Sequence, residues 1–153
     1  MSNQTNHKNH QDFLTSPLGK KFINILMVNG KKSTAERIFL ESLVLIQSTL
    51  KQNSVKMVSL SINNVKPVVE IRSVRMRGAN YQVPIPLTES RKISLAIKWI
   101  VATAKKKQGS SMKIKLKDEL IAASQNHGES VKKKLTIHKL ANANRAFAHY
   151  RWF

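Results

Sequence analysis

The stretch VVEIRSVRMRGANYQVPIPL, residues 68–87, decides the fold of this chain. In its second half every other residue from Tyr81 to Leu87 is apolar, which is the pattern of a half-buried strand. Gly78-Ala79-Asn80 predicts a turn between two strands. Two prolines in the second strand remove backbone donors, so a central position in a sheet is excluded. The stretch therefore predicts an isolated two-stranded ribbon.

The ribbon also carries positive charge, at Arg72, Arg75 and Arg77. An isolated ribbon is marginally stable in water unless it packs on something, and a two-stranded ribbon fits a nucleic-acid groove. Two interpretations remain open from the ribbon alone. It is either a finger that lies on a polyanion or a surface hairpin with solvated arginines.

The charge of the whole chain favours a polyanionic partner. The 153 residues include 27 Lys and Arg against 8 Asp and Glu, a formal net charge of +19. Such an excess repels itself in a compact monomer. Nucleic acid and an anionic membrane surface are the candidates, but no apolar run approaches the ~20 residues of a membrane span. No secretory signal is recognised.

Residues 1–13 are predicted to be a disordered polar tail, and residues 14–153 one helical domain with the ribbon at 68–87. Apolar residues at helical spacing predict six helices, at Leu18–Val28, Thr34–Lys51, Ser54–Val65, Glu89–Lys107, Ser111–Asn126 and Leu135–Arg151. Trp99 is expected at the edge of the core, with stacking on a base as the alternative.

Three lysine clusters lie at predicted helix ends. Lys31 and Lys32 precede the capping box Ser33-Thr34-Ala35-Glu36 of the second helix, where they are either solvated or bind a phosphate. Lys105, Lys106 and Lys107 end the fourth helix, where cations suit the helix dipole. Lys132, Lys133 and Lys134 stand near the start of the last helix, where cations oppose the dipole, and they therefore indicate an external anion.

The last helix is predicted to have two faces. The polar face offers donors suited to phosphate, ribose and base edges and consists of His138, Asn142, Arg145 and His149. The opposite, apolar face is expected to dock on the body and consists of Leu140, Ala143, Phe147 and Tyr150.

Several motifs in this order resemble the ribosomal protein S-seven family, the bacterial-type head protein of the small ribosomal subunit. The most specific is ANANRAFAHYRW, residues 141–152, and the match spans Phe22 to Trp152. Supporting motifs are Gly30-Lys31-Lys32-Ser33-Thr34-Ala35, Asn64-Val65-Lys66-Pro67, Val69-Glu70-Ile71-Arg72-Ser73, Gly78-Ala79 and Tyr81-Gln82-Val83-Pro84.

The resemblance implies a mainly α fold, a bundle of six helices with one protruding antiparallel β-ribbon between helices three and four. It implies a structural constituent that binds the 3′ major (head) domain of small-subunit rRNA and nucleates head assembly. The implied neighbours are head and platform ribosomal proteins, with exit-site tRNA and mRNA nearby.

The resemblance also implies RNA-binding residues. These are Lys31 and Lys32 in the loop, Arg72, Arg75 and Arg77 in the ribbon, and Lys132, Lys133, His138, Asn144, Arg145 and His149 in the C-terminal motif. Lys105, Lys106 and Lys107 join them on charge alone.

Some positions depart from the family pattern. A single Gly78 after Arg77 replaces the usual pair of glycines at the ribbon tip, Asn142 replaces a glutamate, and a polar tail replaces a basic N-terminal extension. The ending Arg151-Trp152-Phe153 resembles mitochondrially encoded members. We therefore expect a ribosome of the mitochondrial matrix, with the bacterial cytoplasm as the alternative.

Two other functions are weighed against rRNA binding. A DNA-binding architectural or regulatory protein would use helix pairs and the basic ribbon. An RNA-processing enzyme would need a nucleophile–base pair or a metal-ligand spacing, and neither is found. There are no cysteines, which excludes disulfides, thiolate zinc sites and cysteine nucleophiles. Gly30-Lys31-Lys32-Ser33 does not match a phosphate-binding loop. That motif requires a glycine at position 25, which is Ile25, and a Ser or Thr directly after its lysine, where Lys32 stands. No catalysis, metal, cofactor or small-molecule substrate is expected.

Overall fold

The computed structural model of the chain describes residues 10–150. Its regular elements are α1 Pro17–Leu26, α2 Lys32–Leu50, α3 Ser54–Val65, β1 Val69–Met76, β2 Ala79–Pro86, α4 Glu89–Lys106, α5 Met112–Ser124 and α6 Glu129–Ala143. A 3₁₀ helix at Arg145–Tyr150 follows α6. The predicted fold class is confirmed: the protein is mainly α, with an antiparallel ribbon between α3 and α4.

One cluster of buried side chains draws on all six α-helices. The apolar spacing of α1 and α2 places Phe22 and Phe39 in it, and their rings stack with centroids 4.3 Å apart. A buried hydrogen bond joins α3 and α5, where Ser61 Oγ donates to the Leu120 carbonyl at 2.8 Å. A shared core of this kind is what a single helical domain requires, although the predicted domain limit at residue 14 stays a prediction.

The structure places residues 10–13 in a helix rather than in the predicted disordered tail. Phe13 is buried, and its ring lies 6.1 Å from that of Phe39. A Cβ on Gly19 would lie 2.1 Å from the Phe13 carbonyl oxygen, so the backbone of α1 passes this segment at close range. The segment was predicted to be disordered because most of its residues are polar, but Phe13 is apolar and packs in the core. The rest of the predicted tail, residues 1–9, lies outside the described residues.

The ribbon pairs Val69 with Pro86 at its base and Met76 with Ala79 at its tip. The turn therefore consists of Arg77 and Gly78, not of the predicted Gly78-Ala79-Asn80. Both turn residues have positive φ, 48° and 84°, as the favoured two-residue hairpin turn requires. Arg77 thus takes a left-handed conformation that is costly for a side chain other than glycine, asparagine or aspartate.

The last helix differs from its prediction at both ends. It begins at Glu129 instead of Leu135 and ends as an α-helix at Ala143. A 3₁₀ helix has 3.0 residues per turn, whereas an α-helix has 3.6. The polar and apolar faces predicted for one continuous α-helix therefore do not continue beyond Asn144. Arg151, the predicted last residue of the helix, lies outside the described residues.

Candidate nucleic-acid interface

Most of the few carboxylates form ion pairs within the described part of the chain, and many of the more numerous Lys and Arg side chains are left without an acidic partner there. Seven of the eight acidic residues lie within 4.0 Å of a lysine or arginine nitrogen, namely Glu36, Glu41, Glu70, Glu89, Asp118, Glu119 and Glu129. Several predicted binding residues have no ion pair with any residue from 10 to 150, namely Lys31, Arg75, Arg77, Lys105, Lys106, Lys133 and Arg145. Their charge is therefore available to an outside anion.

One basic site lies where α1, α2, α4 and α5 meet, and it includes Lys31 from the predicted pair Lys31-Lys32. Lys31 and Lys105 line one cavity of about 180 Å³ there, although they are far apart in sequence. The predicted capping box is wrong, because α2 begins at Lys32 and its N-cap, Lys31, makes no side-chain capping hydrogen bond. Glu36 instead faces Lys32 one turn away, with 3.8 Å between Oε1 and Nζ.

A second group of lysines surrounds a groove of about 470 Å³ between the end of α4 and the start of α6. We call it the lysine groove, and its basic lining is Lys106, Lys107, Lys132 and Lys133. Lys132 Nζ lies 3.0 Å from Glu129 Oε1, and Lys133 Nζ lies 5.6 Å from the centre of the Trp99 ring. Trp99 is 8% exposed, so its predicted place at the edge of the core is confirmed. Two lysine runs that are separate in sequence thus form one surface.

Glu119 is the residue that the sequence analysis missed. It lies on α5 and is fully buried. Its Oε1 accepts hydrogen bonds from the backbone N–H of Ser130 at 3.1 Å and from Ser130 Oγ at 2.7 Å, which satisfies the start of α6. Glu119 does not pair with the lysines at this helix start, of which Lys132 pairs with Glu129, so the external anion that they indicate stays a prediction. The sequence signal was a carboxylate on the apolar stripe of α5, directly before Leu120.

The ribbon arginines do not share a face. Residues paired across the strands lie on the same side of the ribbon and neighbours alternate, so Arg72 and Arg75 are on opposite sides. Arg72 Nε donates to Glu70 Oε1 at 2.8 Å, and Arg91 approaches Glu70 Oε2 at 3.2 Å. Glu70 therefore links the base of the ribbon to α4 through Arg91 and also pairs with Arg72. Arg75 and Arg77 are exposed near the tip.

His138 connects α6 to the base of the ribbon. Its Nε2 accepts a hydrogen bond from the backbone N–H of Val68 at 3.2 Å, so a neutral ring carries its proton on Nδ1. Burial, and after it the positive charge of Lys134, lower the pKa of His138 below the usual 6.5. A neutral ring with an occupied Nε2 supports the ribbon, and its predicted contact with RNA stays a prediction.

The C-terminal segment packs on the ribbon. The Tyr81 ring on β2 lies 5.2 Å from Phe147 and 5.4 Å from Tyr150. The predicted docking of the apolar face on the body is therefore wrong for these two rings, and Leu140 is 48% exposed. The segment follows an α-helix whose C-cap is Asn144, which donates from Nδ2 to the Leu140 carbonyl at 2.9 Å.

This packing places two more predicted RNA-binding residues beside the ribbon. Arg145 and His149 lie on the 3₁₀ helix that contacts β2, and both are exposed. We call the exposed residues Arg75, Arg77, Arg145 and His149 the arginine surface. It spans both sides of the ribbon, because the 3₁₀ helix packs on the side of Tyr81 and Arg75 lies on the other side. The lysine groove and the arginine surface lie toward the two ends of α6, whose 15 residues span about 22 Å.

Other kinds of site are not found in the described part of the chain. Within residues 10–150 no group of three or more His, Asp or Glu side chains could hold a metal ion. Over the same residues, no helix combines the length and the apolar character that crossing a membrane requires.

Comparison with known proteins agrees with the fold and the basic surfaces. A family profile described as ribosomal protein S7p/S5e matches residues 1–145. The protein of Petrotoga mobilis called small ribosomal subunit protein uS7 is 52% identical over 132 residues, 86% of this chain and 85% of that protein. Proteins of the same name are 46% identical in Gemmatimonas aurantiaca, over 86% of this chain and 85% of theirs, and in Buchnera aphidicola, over 90% and 88%. The chain belongs to the ribosomal protein S7p/S5e family.

Proposed function

We propose that the protein is a structural constituent of the small ribosomal subunit that binds rRNA by charge neutralisation and by shape. The observation that carries this proposal is the pair of basic surfaces held apart by α6. Neither surface is a continuous stripe, which suits folded RNA, whose phosphates approach from several directions. The relatives that share its family are named as small-subunit proteins, which agrees with this role.

The affinity is expected to depend steeply on salt. Apart from His149 and from Lys107, which pairs with Glu119, the two surfaces together with Lys31 and Lys105 supply eight cations. Neutralising about eight phosphates gives a log–log salt slope of roughly −6 to −7. Filter binding to a small-subunit rRNA head fragment between about 50 and 400 mM salt measures the slope. A slope near −1 would contradict charge neutralisation as the mechanism.

Specificity separates this proposal from general polyanion binding. The labelled head fragment is held at about 150 mM salt and challenged with duplex DNA and with an unrelated structured RNA. Failure of both competitors at large excess supports specific rRNA binding. Equal displacement by both would instead favour charge alone, and preferential displacement by duplex DNA would favour the DNA-binding alternative.

The finer placement in the subunit is also part of the proposal. The protein would bind the 3′ major domain, nucleate head assembly, contact head and platform proteins, and bring its ribbon near the exit-site tRNA and mRNA. The exposed arginines at the ribbon tip support this. Because the chain has no cysteine, the variant Arg77→Cys accepts a single tethered radical source, with Lys51→Cys at the end of α2 as the control. Cleavage of tRNA or mRNA from residue 77 but not from residue 51 is expected.

The proposed role needs no catalysis, cofactor or small-molecule substrate. Incubation of the protein with head-domain rRNA should leave the RNA length unchanged, and turnover would contradict the proposal. The mitochondrial matrix stays a prediction that rests on residues 151–153, outside the described part of the chain. The bacterial relatives favour the alternative, the bacterial cytoplasm.

A further inference from the structure

Glu119 links three segments that meet at the lysine groove. Its Oε1 binds both the backbone N–H and the Oγ of Ser130 in the first turn of α6. Its Oε2 lies 2.8 Å from Nζ of Lys107, the residue that caps the end of α4. A single fully buried carboxylate on α5 is thus shared by the end of α4 and the start of α6.

Those two segments are the walls of the groove. One wall carries Lys106 and the other carries Lys132 and Lys133. The approach of the α6 wall depends on Gly128, because a Cβ there would lie 3.0 Å from Glu119 Oε1. Glu119 therefore helps to set the distance between the two sets of lysines, whose charges repel one another, together with the contact of Lys133 Nζ with the Trp99 ring on α4.

We infer that Glu119 is a positioning residue for RNA binding, which holds the walls of the lysine groove at the spacing that phosphates require. Lys107 then acts as the counter-ion of the carboxylate, while Lys106, Lys132 and Lys133 face the RNA. This inference rests on the proposed function and deepens it, because it assigns a buried acidic residue to the binding of an anion.

The variant Glu119→Gln gives opposite results under the two explanations. The change raises the net charge by one, so electrostatic attraction alone predicts equal or tighter binding. Loss of positioning predicts weaker binding and a shallower salt slope. If one or two phosphate contacts are lost, the slope changes by about 1–2 and the affinity at 150 mM salt falls about 5- to 20-fold.

Matched variants control for charge. Glu41→Gln makes the same change in net charge at a more exposed acid on α2, whose Oε2 lies 3.0 Å from Lys113 Nζ, and should bind RNA as tightly as the parent protein or slightly tighter. Lys106→Met removes a groove lysine that has no ion pair in the described chain. It should reduce the slope by about 0.7–0.9 without lowering the melting temperature.

Ser130→Ala keeps the experiment decisive if Glu119→Gln does not fold. It removes the 2.7 Å bond from Oγ to Glu119 without any change in charge, and we expect a two- to fivefold loss of affinity. Circular dichroism must show that each variant is folded at the temperature of the binding assay. Amide exchange at residues 129–134 then reports directly on the start of α6.

The outcomes separate the inference from the function beneath it. Weaker binding with a shallower slope in a folded variant supports positioning. A lower melting temperature with parental affinity and slope would mean that Glu119 only stabilises the fold, and tighter binding by Glu119→Gln would also overturn the inference. If the parent protein itself fails to prefer rRNA over the competitors, the proposed function fails instead.

Discussion

The contact between the ribbon and the C-terminal segment makes a strong prediction about Tyr81. An isolated ribbon is marginal in water, and here the Tyr81 ring packs against Phe147 and Tyr150 at 5.2 and 5.4 Å. Two aromatic pairs of this geometry contribute about 0.5–1.5 kcal/mol each beyond the area they bury. We therefore expect Tyr81→Ala to lower the free energy of opening the ribbon by about 1–3 kcal/mol.

Amide hydrogen exchange measures this opening. If the ribbon opens locally, the amides of residues 72–80 should exchange about 5- to 150-fold faster in Tyr81→Ala, since every 1.4 kcal/mol is a factor of ten. The amides of α2 should exchange at the parental rate. Gln82→Ala is the matched control, because Gln82 is exposed on the opposite side of the same strand. Unchanged exchange in the Tyr81 variant would refute the view that the C-terminal segment stabilises the ribbon.

Two further predictions concern His138 of α6 and Gly128, the residue before the first turn of that helix. Because the pKa of His138 is lowered in the folded state, the unfolded chain binds more protons between that pKa and about 6.5. The stability that neutral His138 contributes should be fully present above about pH 6.5, and it should be lost as the pH falls through the pKa of His138 in the folded state. Urea unfolding at about pH 7.5 and 5.5 should show this loss in the parent protein and a smaller one in His138→Gln. Gly128→Ala places a side chain at φ 96° and against Glu119, and should cost about 1–3 kcal/mol. Gly109→Ala, at φ 88° with no atom within 4 Å, should lower the melting temperature less, and equal losses would exclude the contact with Glu119 as a cause.

Local patterns in the sequence predicted the elements of this fold well. Helical spacing predicted α2, and its apolar residues Ala35, Phe39, Leu43 and Ile46 are buried. The period-2 pattern and the prolines predicted an isolated ribbon. The structure has a sheet of two strands, and the described residues contain no third strand. Both patterns are local, because each arises within one segment that buries one face and leaves the other in solvent.

The errors arose where a distant side chain decides the local structure. The start of α6 was predicted at Leu135, six residues too late, whereas Glu119, 11 residues before Ser130, accepts hydrogen bonds at the true start of the helix. His138 and Val68 are 70 residues apart, and no spacing rule connects them. The candidate site was accordingly predicted as a list of basic residues, and its division into two surfaces came only from the fold.

That division explains how a protein with such excess charge can select one RNA. Charge alone binds any polyanion, and each surface by itself offers little more than charge. Because α6, which is about 22 Å long, lies between the two surfaces, an RNA that contacts one surface gains the second only if its own phosphates lie at a matching distance. The second contact is then intramolecular and adds affinity without paying again for association. Duplex DNA or an unrelated RNA that reaches only one surface forgoes this gain. Selectivity should therefore fall when either surface is neutralised, even though the remaining charge still binds RNA.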